Sequence, residues 1–271
     1  MKFSIVLSTH PAQFQAATFK GDLETNLRRI ADLGYDGVEL AIRDPRLVAR
    51  QALGRLVQTC GLSVSAIGTG QAWGEEGLSF TDPDPEIRRA AIERIKSHVP
   101  LAADLGAVVI IGLIRGVVRP GVEAVQAMDW LVAALGECSA AAHLAGIRLA
   151  LEPINRYETT LVNSVDQGLA LIQNVGAANL GLLLDTFHMN IEEPVLEDSI
   201  RQCGERIFHF HVADSNRWYP GAGHLDFKSI LGSLYSTGYQ GWVSGEFLPQ
   251  PDAETASQKA ISFLRQSMPG L

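Results

Sequence analysis

Short apolar runs alternate with longer stretches of helical period along this chain, and eight such alternations fit into its 271 residues. The runs are FSIVLST (3–9), GVELAI (37–42), LSVSAIG (62–68), VVIIGLI (108–114), IRLALEP (147–153), LGLLLDTF (180–187), IFHFHVA (207–213) and GWVSGEF (241–247). They are continuously apolar rather than strictly alternating, as expected for strands covered on both faces. Helix signals fill the intervals. Asp44-Pro45 and Asp84-Pro85 each place an N-cap before a proline, Ser164 to Gln167 reads as a capping box, and Gly34, Gly61, Gly106, Gly146 and Gly176 stand where helices should end. Eight strand-then-helix units in this length predict an α/β fold, a single (β/α)8 TIM barrel over residues 1–271. The competing open doubly wound sheet usually carries a glycine-rich phosphate loop after its first strand. Here that strand leads into Ser8-Thr9-His10-Pro11. The acidic, glycine-rich stretch Trp73–Pro85 reads as a long loop able to cover a site at the barrel mouth.

Composition narrows the functional classes. The chain is 46% hydrophobic, enough for a large core, and its formal net charge of -8 argues against a nucleic-acid surface. Three widely spaced cysteines, Cys60, Cys138 and Cys203, with no CxxC, read as free thiols. No signal peptide and no run of 18 apolar residues is evident, so a cytoplasmic protein with no membrane partner is expected.

Four polar residues end four successive runs: Glu152, Asp185, His211 and Glu246. In a barrel all four would stand on the catalytic rim, on strands five to eight. Three carboxylates and one imidazole suit a hard divalent ion, Mn2+ first, with Mg2+ or Co2+ as alternatives. Strands five and eight lie three steps apart around the ring, roughly 135° by symmetry. Glu152 and Glu246 could therefore flank a bound carbon. Inverting a carbon beside a ketone requires removal of a proton from one face and return to the other, which two carboxylates can do while a metal holds the enediolate charge. Glu158, His188 and Arg217 lie close by in sequence and are candidate substrate contacts. Arg156, Asp214 and His224 read equally well as loop anchors, and His209 as a packed histidine.

At these residues, with EPINRYET, DTFHMNIEE and HVADSNRWYPGAGH around them, the chain resembles the sugar isomerase/epimerase superfamily of xylose-isomerase-like barrels, and within it the D-tagatose 3-epimerase group. The resemblance implies Glu152, Asp185, His211 and Glu246 as metal ligands, Glu152 and Glu246 as the acid/base pair, and Glu158, His188 and Arg217 as substrate contacts. It also admits a homodimer or homotetramer. The first half departs from typical ketose epimerases and looks more like the 5-keto-L-gluconate epimerases, which implies interconversion of that keto-acid with D-tagaturonate. A carboxylate on the substrate would then fall to Arg43 and Arg115, leaving strands two and four, with Gln71 and Trp73 shaping the far end of the pocket. The alternatives are a ketose 3-epimerase acting on free sugars, an aldose–ketose isomerase, an endonuclease-IV-like enzyme and a non-catalytic barrel. The first half offers few histidines for the extra metals that such a nuclease needs.

Overall fold

A computed structural model describes residues 1–268; residues 269–271 of the expected domain lie outside the described residues. Eight parallel strands form the barrel: β1 (Lys2–Ser8), β2 (Gly37–Ala41), β3 (Ser63–Gly68), β4 (Val108–Ile111), β5 (Leu149–Leu151), β6 (Leu180–Asp185), β7 (Ile207–Val212) and β8 (Trp242–Gly245). Each strand pairs with the next. β8 pairs back with β1 through Ser4↔Ser244 and Ile5↔Gly245, so the sheet closes. The expected TIM barrel is the observed fold. A two-residue strand, Phe19–Lys20, adds to the rim end of β1. No helix among the described residues is long and apolar enough to cross a membrane.

Side-chain alternation along each strand sorts the core into two shells. Outward residues such as Ile5, Leu40, Ile67, Val109, Leu182 and Phe210 pack against the helices in the main apolar cluster. Each such buried side chain contributes about 1.5–3 kcal/mol. The lumen holds a second, smaller cluster of Ala66, Val108, Ile110, Ala150 and Leu183, all on β3 to β6. The other half of the lumen is polar and equally buried: Ser4, Glu39, His209, His211 and Ser244. The barrel therefore has a dry side and a side of hydrogen-bonding groups, and the latter lies beneath the site described below.

Local departures from the sequence reading have local causes. Asp44-Pro45 opens a 3-10 turn, Pro45–Leu47, rather than an α-helix. The Asp44 side chain accepts from the Arg46 amide, and the helix proper waits until Arg50. β4 ends at Ile111, and Leu113–Arg115 turn away as another 3-10 segment. The stretch from Trp73 is not all loop. Gln71–Glu76 is a short helix closed by Gly77 at φ 71, a left-handed turn that suits glycine.

Candidate metal centre and active-site pocket

Each of the last four strands ends in one side chain that turns into the barrel mouth. The Nδ1 atom of His211 lies 3.9 Å from Glu152 Oε1, 3.9 Å from Asp185 Oδ2 and 3.8 Å from Glu246 Oε2. All four donor atoms lie within 4.8 Å of one another. Three of them, Glu152 Oε1, Asp185 Oδ2 and His211 Nδ1, are buried without any hydrogen-bond partner. Buried polar atoms are almost always paired, so three orphans facing one point mark a place for a cation. The spacing suits an ion bonded at roughly 2.0–2.6 Å to each donor. The second oxygen of Asp185 is already committed, accepting at 2.8 Å from the Phe187 amide as N-cap of the helix Thr186–Glu192. Gly112 at the exit of β4 keeps the neighbouring space open, since a Cβ there would stand 3.0 Å from Glu152 Oε2.

Beneath the donors, Glu39 from the middle of β2 accepts from two imidazoles. His209 Nε2 lies 2.7 Å from Oε2, and His211 Nε2 lies 3.0 and 2.9 Å from the two carboxylate oxygens. An ionised carboxylate only accepts, so both Nε2 atoms carry hydrogen, and Nδ1 of His211 is the nitrogen that faces the other donors, free to offer a lone pair once its proton has left. Carboxylate–histidine pairs of this kind hold a metal ligand in the right tautomer and orientation. Burial alone would raise Glu39, but the charge of His211 and the hydrogen bonds from both histidines outweigh it and hold the carboxyl far below its usual range. Burial would likewise lower His211, yet Glu39, Glu246 and Glu152 together push it well above the ordinary imidazole value.

The acidic donors carry the opposite strain. Burial, then the charge of Glu246, raises Glu152 well above the ordinary carboxylate range. Burial pushes Glu246 up to about 7 against the pull of His211 and Arg217. A cluster that resists ionisation when empty is one that a divalent cation relieves.

Around the donors, Arg217 Nη1 donates to Glu158 Oε1 at 2.9 Å and Nη2 to Glu246 Oε2 at 3.4 Å, with its guanidinium against the rings of Phe187 and Phe14. Its backbone sits at φ 61, a strained value for a non-glycine residue. The Asp214 carbonyl and the Leu248 amide hold it there. Asn155 Oδ1 accepts from the Tyr157 amide, so its Nδ2 is the atom 2.7 Å from His188 Nδ1. Nδ1 of His188 is then the acceptor, and Nε2–H becomes a donor aimed at the site, 3.7 Å from Glu152 Oε1. Burial, aided by Arg217, lowers the imidazole well below its ordinary value, so this donor is neutral. Glu152, Glu158, His188, Arg217, Glu246 and Phe14 line a cavity of about 300 Å³, together with Gln71, Trp73 and Glu75.

Residues 27–267 match the family described as xylose isomerase-like TIM barrel. The chain belongs to that family. It is 33% identical to an L-ribulose 3-epimerase of Mesorhizobium japonicum over 242 residues, covering 89% of this chain and 80% of that protein. It is 32% identical to a ketose 3-epimerase of Arthrobacter globiformis over 221 residues, covering 80% and 75%. The crystal structure of a Methylomonas D-allulose 3-epimerase in complex with D-allulose superposes with a TM-score of 0.83 at 26% identity, covering 98% of this chain and 97% of that one. This xylose isomerase-like barrel is thus an isomerase of the sugar-epimerase kind.

Within the family fold, the sequence-derived residues divide. Glu152, Asp185, His211 and Glu246 meet at one point, with Glu158, His188 and Arg217 beside them and Gln71 and Trp73 across the cavity. Arg43 and Arg115 do not line the pocket, which corrects the expectation that they hold a substrate carboxylate. Arg115 is fully buried, and its guanidinium donates to the carbonyls of Glu152 and Val162. Arg43 pairs at 2.8 Å with Glu75 and at 3.2 Å with Glu76. Three further residues serve the scaffold. The Asp214 carboxylate accepts loop amides from Ser215, Gly221 and Leu225, Arg156 pairs with Glu192, and His224 meets Ser215. Sequence reasoning missed Glu39 and Glu75. A lone glutamate inside the apolar run GVELA was the available signal for the first; nothing in the sequence marked the second.

Proposed function

We propose that this protein is a metal-dependent epimerase that inverts the hydroxyl-bearing carbon next to the ketone of a free, uncharged ketose, a ketose 3-epimerase. The convergence of Glu152, Asp185, His211 and Glu246 on one point, three of them with an orphaned buried atom and two of them glutamates whose proton affinity burial raises, carries this reading. Support also comes from the 3-epimerase names of relatives that match most of the chain.

A divalent ion, Mn2+ first among Mn2+, Mg2+ and Co2+, would be held by Glu152, Asp185, His211 and Glu246 and would supply Lewis-acid stabilisation of the enediolate charge. Glu152 and Glu246 stand on β5 and β8, three strands apart, so each addresses a different face of the bound carbon. One takes the proton and the other delivers one, and the roles exchange in the reverse reaction. Without the ion, burial holds the carboxyl of Glu246 up to about 7, and the charge of a bound cation would bring it down from there. His188 Nε2–H and Arg217 offer hydrogen bonds to substrate oxygens.

A free ketose is favoured over 5-keto-L-gluconate by charge. Arg217 is the one arginine or lysine lining the cavity among the described residues, and Glu158 and Glu246 already occupy it. Incubating the Mn2+-loaded protein with L-ribulose, D-psicose, D-tagatose and D-tagaturonate in deuterated buffer tests the proposal. Solvent deuterium should enter the carbon whose hydroxyl inverts, in the uncharged sugars. Deuterium on an aldose-forming neighbour, or exchange confined to D-tagaturonate, would refute it.

A further inference from the structure

The side of the cavity across from the metal donors is built from hydrogen-bond acceptors. Gln71 and Glu75 lie four residues apart on the helix Gln71–Glu76, which places them on one face, and both line the cavity. That helix follows β3, four steps around the ring from β7, which carries His211, so it closes the far end of the pocket.

The hydrogen-bond order fixes which atoms of these two side chains are left free. The Ser8 hydroxyl donates to the His10 carbonyl at 2.8 Å, and a hydroxyl has only one hydrogen. Ser8 Oγ can therefore only accept from Gln71 Nε2, which lies 2.9 Å away. The Gln71 amide cannot be flipped, and Oε1 is the free end. That oxygen is buried with no partner, on a residue only 6% exposed. Glu75 repeats the pattern. Arg43 holds Oε2 at 2.8 Å, with His10 Nε2 3.8 Å from the same oxygen, while Oε1 is buried and unpartnered. Two acceptors without donors remain, and a buried acceptor left unmatched costs about 1–3 kcal/mol.

We propose that Gln71 and Glu75 form a two-acceptor clamp for two neighbouring hydroxyls at the end of the substrate remote from the reacting carbon, the terminal hydroxyl donating to Gln71 Oε1 and the one beside it to Glu75 Oε1, and so determine specificity at that end. The inference rests on the reading of this pocket as a ketose site. A terminal CH2OH and the hydroxyl next to it bring the two donors that the clamp lacks. A methyl group in place of the CH2OH leaves the Gln71 oxygen unmatched, and a carboxylate or phosphate there sets negative charge beside Glu75. Because Arg43 already balances the charge of Glu75, the clamp suits a neutral hydroxyl rather than a second cation. Arg43 is accordingly a positioning residue for Glu75.

Three sugars that differ only at the far carbon test the clamp: D-tagatose, 6-deoxy-D-tagatose and D-tagaturonate. Dissociation constants on the Mn2+-loaded protein, with kcat/KM beside them, are compared for wild type, Gln71→Leu and Glu75→Gln. Wild type should favour D-tagatose over the deoxy sugar by roughly 10- to 100-fold. Gln71→Leu should shrink that ratio to within about threefold, and Glu75→Gln should lessen the discrimination against D-tagaturonate. Equal binding of D-tagatose and 6-deoxy-D-tagatose by wild type, no binding of either, or an equal loss for both sugars in Gln71→Leu would overturn the clamp. Absence of deuterium exchange with preserved binding ratios would instead count against the epimerase reading and for the clamp.

Discussion

Replacing Glu246 by glutamine should make the metal-free protein more stable while removing its function. Burial lifts the carboxyl of Glu246 from 4.5 to about 7, and only 13% of the side chain is exposed, so solvent screens little of that cost. At 1.36 kcal/mol per pH unit, the lift corresponds to roughly 3 kcal/mol. The folded chain holds this proton more tightly than the unfolded chain does. Stability is therefore intact below pH 4.5, falls as pH rises through 7, and levels off above. A neutral glutamine can still accept from Arg217 and carries no such cost. In a protein of this size each kcal/mol moves the melting temperature by roughly 2–4 °C, so the chelated Glu246→Gln variant should melt roughly 5–10 °C above chelated wild type at pH 8. Most of that gap should vanish at pH 5. Thermal melts followed by circular dichroism at the two pH values measure it. Added Mn2+ should reverse the order, because only wild type keeps the full donor set. A variant that melts at or below wild type at pH 8 without metal, with an unchanged spectrum, would refute the claim that the empty cluster is electrostatically strained.

Glu39→Gln, which weakens the lock on the His211 tautomer, should lower Mn2+ affinity roughly 10- to 100-fold by calorimetric titration; an unchanged affinity would remove Glu39 from the metal centre. Chelation with EDTA should abolish deuterium exchange into substrate, and Mn2+ or Co2+ should restore it; exchange indifferent to chelation would exclude a metal role. Arg115→Ala should cost roughly 2–4 kcal/mol in urea unfolding, since it removes the guanidinium donor from the Glu152 carbonyl and empties the space of a fully buried side chain. It should not change the preference between D-tagatose and D-tagaturonate, and a selective loss on the keto-acid would reinstate the carboxylate role first expected of it.

The barrel and the convergence of its four polar strand-end residues were readable from the chain because both follow from one-dimensional rules. Continuous apolar runs separated by capped helices specify parallel strands buried on both faces. The exits of such strands all lie on one rim, so Glu152, Asp185, His211 and Glu246 had to come close once the barrel closed. What the sequence could not state was the direction of a side chain leaving a strand through a short turn. Arg43 and Arg115 follow β2 and β4 much as the metal donors follow theirs. Yet the 3-10 turn Leu113–Arg115 sends one guanidinium behind Glu152, and the helix after β3 captures the other with Glu75 and Glu76. Glu39 was hidden for a related reason: its partners, His209 and His211, are 170 and 172 residues away in the chain. The reaction type therefore belongs to the strand pattern, which is local in sequence. The proposed substrate choice rests on Gln71, Glu75 and the residues that orient them, whose free atoms are defined only when every neighbouring donor and acceptor has been assigned in three dimensions.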